Sequence, residues 1–208
     1  EQAQFRATNV QSRGQQWTFT VSRGAFAGPL DVRINLPGHH NVMNALAAIA
    51  VATEEGIDDA AILTGLNAFA GVGRRFQVSE TVTVDDMPVA LVDDYGHHPT
   101  EVEAVIQTAR EVWPERRLAM VYQPHRYSRT QDLFDDFVRV LSAVDALLLL
   151  DVYAAGESRI DGADSKALAQ AIRQRGQLSP IYAKDANEAF DLLANFVTAE
   201  DVLLVQGA

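Results

Sequence analysis

The sequence predicts an α/β protein: a doubly wound, mainly parallel sheet of five or more strands in its second part, preceded by a shorter part of antiparallel strands and helices. Three observations carry this. Beyond about residue 79, short apolar segments alternate with helical stretches, the rhythm of a parallel sheet with helical crossovers. Before residue 78 two β-type segments come first and the helices follow. Between these parts Val72-Gly73-Arg74-Arg75-Phe76 interrupts both patterns, which places the expected boundary in the stretch Phe76 to Glu80 and divides the chain into 1–78 and 79–208.

Thr18 to Ser22 and Val32 to Leu36 read as strands. The Gly-rich connection Arg23-Gly24 to Gly28-Pro29 suits an antiparallel pair. Pro37-Gly38 ends that sheet, and NVMNALAAIAVATEEG follows as an Ala-rich helix starting near Asn41 and stopping at Gly56. Asp58 to Phe69 gives a second helix. Strands are then predicted at Val89 to Val92, Leu118 to Tyr122, Ala146 to Asp151, Pro180 to Ala183 and Val202 to Val205, with four helices between them. Thr100-x-x-Glu103, after Pro99, and Asp185-x-x-Glu188 have the spacing of reciprocal helix caps.

Composition narrows the chemistry. The 208 residues are 48% hydrophobic, enough for a substantial core, and contain no Cys, which excludes disulfides, thiolate nucleophiles and Cys-built metal sites. The polar start EQAQFRATNVQSRGQQ has no apolar signal segment, and the longest apolar run, Ala45 to Ala52, is far short of a membrane helix. We therefore expect a soluble, cytoplasmic protein. A net charge of -11 opposes general affinity for nucleic acid or anionic membrane. The chain has 15 Arg and only 2 Lys; a bidentate role in anion recognition and genomic base composition both account for that ratio. Glu1 at the start, and Gln206-Gly207-Ala208 directly after an apolar strand, read as the limits of a fragment.

In doubly wound sheets ligands bind beyond the carboxyl ends of the strands. Here the first strand of the second part runs into Asp93-Asp94-Tyr95-Gly96-His97-His98-Pro99, the second into Gln123-Pro124-His125-Arg126-Tyr127-Ser128-Arg129-Thr130, and the third into Val152 to Glu157. Three of the five His and two closely spaced Arg thus converge on one edge. Each has an ordinary reading by itself, as a turn cap or solvated loop residue; the joint placement points to a site. Arg126 and Arg129 lie three apart at an expected helix start, where a carboxylate or phosphate meets guanidinium and backbone donors together. Asn41 offers either a helix cap or the donor–acceptor pair that matches the N6/N7 edge of adenine. Arg74-Arg75 can hold a polyphosphate or pair with acidic neighbours. Gly71-x-Gly73 is no dinucleotide fingerprint, because it follows a helix and lacks the third Gly.

Four motifs in order carry a resemblance: Pro37 to Ala48 (PGHHNVMNALAA), Gly71 to Phe76 (GVGRRF), Asp93 to Glu101 (DDYGHHPTE) and Gln123 to Thr130 (QPHRYSRT). They look like Mur ligase motifs, and the last two resemble the branch that adds L-alanine to UDP-N-acetylmuramate. The resemblance implies that residues 1–78 end a central ATP-binding domain and that 79–208 form a Rossmann-like amino-acid-binding domain. It implies ATP and magnesium as cofactors, with Asn41 on the adenine, Arg75 on the phosphates and Asp94 on the ribose. His97, Arg126 and Arg129 take the catalytic and substrate end, with Tyr95 and His125 beside them, and His98 supports the loop. The two Arg would hold the alanine carboxylate and leave its amine free to attack an acyl phosphate. No phosphate loop with Lys and Thr is found and no metal ligand is assigned here, so the main magnesium ligands are expected upstream and the fragment alone is expected to be inactive. The rival enzyme is a metal-dependent hydrolase using Asp93, Asp94, His97, His98 and His125, which the neighbouring Arg residues oppose. The same residues would also suit another amino-acid-adding member of the family, or a nucleotide-binding module without catalysis.

Overall fold

A computed structural model describes residues 3–176 and 178–208. The chain divides into two compact units, Glu1–Val72 and Gly73–Ala208. In the first, β1 (Arg6–Arg13), β2 (Gln16–Ser22) and β3 (Leu30–Ile34) form an antiparallel sheet in that order. Trp17, Phe19 and Val21 alternate inward on β2 and pair with Ile34, Val32 and Leu30 on β3, so one sheet face is apolar. Two helices cover it, α1 (His39–Glu54) with Val42, Ala45 and Ile49 buried, and α2 (Asp59–Ala68) with Ile62. The strand β1 is additional to the expected pair; its burial pattern is almost entirely exposed, so it carries little of the alternation that marks a strand in sequence. Asp58 caps α2 by accepting from the Ala61 amide.

The second unit is a six-stranded sheet in the order β4-β5-β9-β6-β7-β8. Its strands are β4 (Gln77–Val84), β5 (Met87–Asp94), β6 (Leu118–Tyr122), β7 (Ala146–Leu150), β8 (Ile181–Ala183) and β9 (Val202–Gln206). All neighbours pair parallel except the edge strand β4, which joins β5 in an antiparallel hairpin. The five expected strands are the five parallel ones. The helices are α3 (Pro99–Val112), α4 (Tyr127–Asp132), α5 (Phe134–Leu141), α6 (Ser165–Gln174) and α7 (Ala186–Phe196); one expected helix is broken at Leu133 into α4 and α5.

The chain steps from β5 through β6 and β7 to β8 in one direction and then returns to place β9 between β5 and β6. Right-handed crossovers put helices of opposite steps on opposite faces. Accordingly Val105, Phe137, Leu141, Leu168 and Ile172 of α3, α5 and α6 pack with Val92, Met120, Leu147 and Leu204 on one side. Ala189 and Phe196 of α7 pack with Ala119, Leu148 and Leu203 on the other. No helix among the described residues is long and apolar enough to cross a membrane.

The helix starts differ from the expected caps. α3 is capped by His98, whose ring accepts from the Thr100 amide, while Glu101 completes the box; Pro99 occupies the first helical position, so the cap lies ahead of it rather than at Thr100. At α7, Asp185 accepts from the Glu188 amide as expected, but Glu188 reaches back to the Lys184 amide.

Candidate functional site

The carboxyl ends of β5, β9, β6 and β7 are stitched together beyond the strands. The Gly207 amide donates to the Asp94 carbonyl (3.1 Å), the Gln123 amide to the Gln206 carbonyl (3.1 Å), the Tyr153 amide to the Pro124 carbonyl (2.9 Å) and the Arg126 amide to the Tyr153 carbonyl (2.8 Å). The Gln123 side chain adds a bond to the Asp151 carbonyl (3.2 Å). The loops that leave these strands are thereby fixed against each other largely through their backbones.

Asp94 is the most enclosed carboxylate of this edge, 3% exposed. Its Oδ2 accepts from the Phe76 amide (2.8 Å); its Oδ1 accepts from the Gly96 amide (2.7 Å) and from Gln206 Nε2 (3.0 Å). A Cβ on Gly96 would lie 2.6 Å from Gln206 Nε2 and 2.7 Å from Asp94 Oδ1, so only glycine lets the chain pass. The expected ribose contact therefore falls on a carboxylate committed to the backbone on both sides of it. Its neighbour Asp93 is half-exposed and lies 3.6 Å from Arg74 Nε. Gln206 has no mark in the sequence beyond ending an apolar strand; a buried polar side chain is seen only once β9 is inserted between β5 and β6.

Several of the residues expected at the substrate end lie near one another. The His97 and His125 rings are 5.2 Å apart, Tyr95 meets His97 edge-on at 5.5 Å, and Tyr153 stacks on His125 at 5.5 Å. Arg129 Nη1 lies 3.1 Å from both His125 Nδ1 and the His125 carbonyl. A guanidinium can only donate, so His125 Nδ1 accepts and the ring proton sits on Nε2. His97 Nδ1 faces the Tyr95 carbonyl at 3.2 Å, which can only accept. The neutral His97 ring therefore leaves Nε2 as its lone pair. Burial first, then the charges of His97, Arg129 and Arg126, hold the His125 pKa below the ordinary histidine value against an opposing effect of Glu157.

Arg126 is exposed, and its backbone (φ 74, ψ 135) is a conformation that non-glycine residues rarely adopt. Its amide is held by Tyr153, and its carbonyl accepts from the Thr130 amide and hydroxyl. Part of the helix start beside it is already taken by the protein. Glu157 accepts from the Ser128 amide (3.0 Å) and hydroxyl (2.7 Å), and these bonds hold its pKa down. Glu157 does not stand out in the sequence, because nothing local links it to Ser128, 29 residues earlier.

On the other side of His97, the Tyr95 ring lies under two guanidinium groups, Arg74 at 5.0 Å and Arg75 at 5.8 Å. Arg74 also donates to the Gly207 carbonyl (2.8 Å). Arg75, half-exposed, has its Nη1 3.5 Å from Glu101 Oε1. Asn41, in the first unit, donates to the Pro37 carbonyl (2.8 Å) and accepts from Asn44 Nδ2 (3.2 Å). An amide has two N–H groups and two acceptor positions, and these two bonds use one of each. Among the described residues no three His, Asp or Glu side chains gather as a metal site, and the five residues of the rival hydrolase do not form one.

Residues 74–208 match the family description "Mur ligase, glutamate ligase domain", and residues 1–52 match "Mur ligase middle domain". Among solved structures the chain is similar to the UDP-N-acetylmuramate-alanine ligase of Thermotoga maritima, with 25% identity and a TM-score of 0.79 over 100% of this chain and 43% of that one. The murein peptide ligase of Psychrobacter arcticus shares the fold at 21% identity and a TM-score of 0.66, over 99% of this chain and 41% of that one. So does the folylpolyglutamate synthase of Mycobacterium tuberculosis, solved with ADP and AMPPCP, at 19% and 0.69, over 99% and 46%. The chain thus spans less than half the length of these relatives. With the ordered motifs, the doubly wound second unit and a family match across most of its length, this chain belongs to the Mur ligase family.

Proposed function

We propose that this chain supplies the amino-acid-binding part, and the end of the nucleotide-binding part, of an ATP-dependent ligase that joins L-alanine to the carboxylate of UDP-N-acetylmuramate. The carrying observation is the group His97, His125, Arg126 and Arg129 at the ends of β5 and β6, with Arg75 and Tyr95 alongside. In the proposed reaction ATP phosphorylates the muramate carboxylate, the alanine amine attacks the acyl phosphate, and phosphate leaves as the amide forms and a proton is lost from nitrogen. Positioning and charge neutralisation supply most of such catalysis.

Arg126, exposed and pinned by its backbone, is suited to a carboxylate; Arg129 backs it and fixes the His125 tautomer. The Nε2 lone pair of His97 is suited to take the proton from the ammonium or the attacking amine. Arg75, half-exposed and in a long pair with Glu101, fits a phosphate. Asn41 retains a donor and an acceptor for the adenine edge, and Asp94 serves the nucleotide side as a positioning residue that fixes Phe76 and Gly96. No magnesium ligand is assigned to this chain, which is proposed to act with a phosphate loop from elsewhere in the complete enzyme and to be inactive without it. A cytoplasmic location follows from the nature of its nucleotide substrates.

The test is steady-state kinetics of the complete ligase with each substrate varied in turn. Arg126→Ala removes a charge-assisted hydrogen bond of about 1.5 to 3 kcal/mol, a roughly ten- to hundredfold loss in transition-state stabilisation. The loss is expected in the alanine dependence, with Arg126→Lys recovering only part because it lacks the planar fork. Unchanged alanine kinetics with impaired use of ATP would move Arg126 to the nucleotide side. Activity with another amino acid and none with alanine would place the chain in a different branch of the family.

A further inference from the structure

We infer that Glu101 is a positioning residue that couples anion binding at Arg75 to the placement of His97, so that the nucleotide side reports to the amino-acid side through one carboxylate. The inference rests on the phosphate role proposed for Arg75. Three contacts carry it. Glu101 Oε2 accepts from the amides of both His97 and His98, each at 3.0 Å, and so sets the course of the loop between β5 and α3. Its Oε1 faces Arg75 Nη1 at 3.5 Å. The Tyr95 ring is a second link, 5.8 Å from the Arg75 guanidinium and edge-on to the His97 ring at 5.5 Å.

The two halves of this carboxylate are held unequally. The amide bonds, at 3.0 Å, are of ordinary hydrogen-bond length, and both donors belong to a loop already tied down by Asp94 and the start of α3. The pair with Arg75 is long and half-exposed on both sides, the kind of ion pair that contributes little and yields to competing anions. A polyphosphate that takes the Arg75 guanidinium therefore draws one cationic neighbour away from Glu101. The carboxylate charge then falls more fully on the His97 and His98 amides. His97 Nδ1 is bonded to the Tyr95 carbonyl, so a shift of this short segment moves the ring and the backbone together.

A helix cap alone explains the amide bonds, since Glu101 is the third residue of α3. A cap has no reason to respond to an anion at Arg75, and that is the distinguishing readout. The 208-residue chain, labelled with 15N, is titrated with tripolyphosphate at constant ionic strength, and the Arg75 Nε–Hε signal and the His97 and His98 amides are followed. In the unaltered chain all three are expected to move along one saturating curve. In Glu101→Gln the neutral side chain still offers an oxygen to the amides but does not pair with Arg75; Arg75 is expected to respond as before while the His97 and His98 shifts fall at least threefold. Equal shifts in the two proteins would make Glu101 a cap and nothing more. An Arg75 signal that moves without the amides in the unaltered chain overturns the coupling and spares the phosphate reading. An Arg75 signal that never moves overturns that reading, and the coupling with it. Glu101→Asp, which keeps the charge on a shorter arm, is expected to restore part of the amide response, whereas a cap role would give it no advantage over Gln.

Discussion

His125 shows how a residue acquires its chemistry from its neighbours. It is partly buried, it receives Arg129 on Nδ1, and His97, Arg126 and Glu157 complete the charges around it. With burial and the surrounding cations depressing its pKa, the folded state favours the neutral ring more than the unfolded chain does. Its stability contribution is thus fully present above the unfolded-state pKa and lost as pH falls through the lowered folded value. Proton NMR of the His125 ring is expected to give a midpoint below that of an unstructured histidine, and a midpoint at or above it would contradict the Arg129 contact. Asp94 makes the opposite point about legibility. Its position in Asp93-Asp94-Tyr95 marks it as a functional candidate, but only the fold shows that it serves three donors of the protein itself while Asp93 stays half-exposed.

Among the elements, periodicity makes the buried parallel strands and the long helices legible, and the chemistry of the helix starts is half legible. Thr100-x-x-Glu103 has the spacing of a cap, but Pro99 fits the first helical position, so the box is built on His98 and Glu101 instead. Denaturant unfolding of the 208-residue chain checks this assignment. His98→Ala is expected to cost about 1 kcal/mol, the usual effect of a lost cap, and Thr100→Ala close to none. The reverse ranking would restore the cap to Thr100. The short α4 teaches a related lesson: its start reads as a set of free donors, and the Ser128 amide and hydroxyl among them are taken by Glu157 from the loop after β7. Strands β1 and β4 are illegible, β1 being exposed along most of its length and β4 an edge strand, so neither shows the continuous apolar run of the central strands.

Across the whole chain, the second unit begins at Gly73, ahead of the 78/79 division expected from the change in rhythm. Phe76 belongs to the core of that unit and its amide is held by Asp94, and β4 covers the edge of the sheet beside β5. A chain of residues 73–208 is therefore expected to unfold cooperatively in urea, and one beginning at Asp85 to unfold at lower denaturant, because it loses both the Phe76 anchor and the edge strand. Equal midpoints would show that β4 and Phe76 contribute nothing to the unit. The α/β class, the five parallel strands and the edge on which His97, His125, Arg126 and Arg129 fall are all written in the linear order of residues. Each depends on local periodicity and on the rule that strand ends carry the loops. Which polar groups of that edge are taken up by the protein itself is written only in the folded arrangement. That choice depends on the insertion of β9 between β5 and β6, which brings Gln206 to Asp94, and on Glu157 returning to Ser128. Contacts between residues so far apart along the chain leave no periodic trace in it, because hydrogen bonding depends on distance in space and not on separation in sequence.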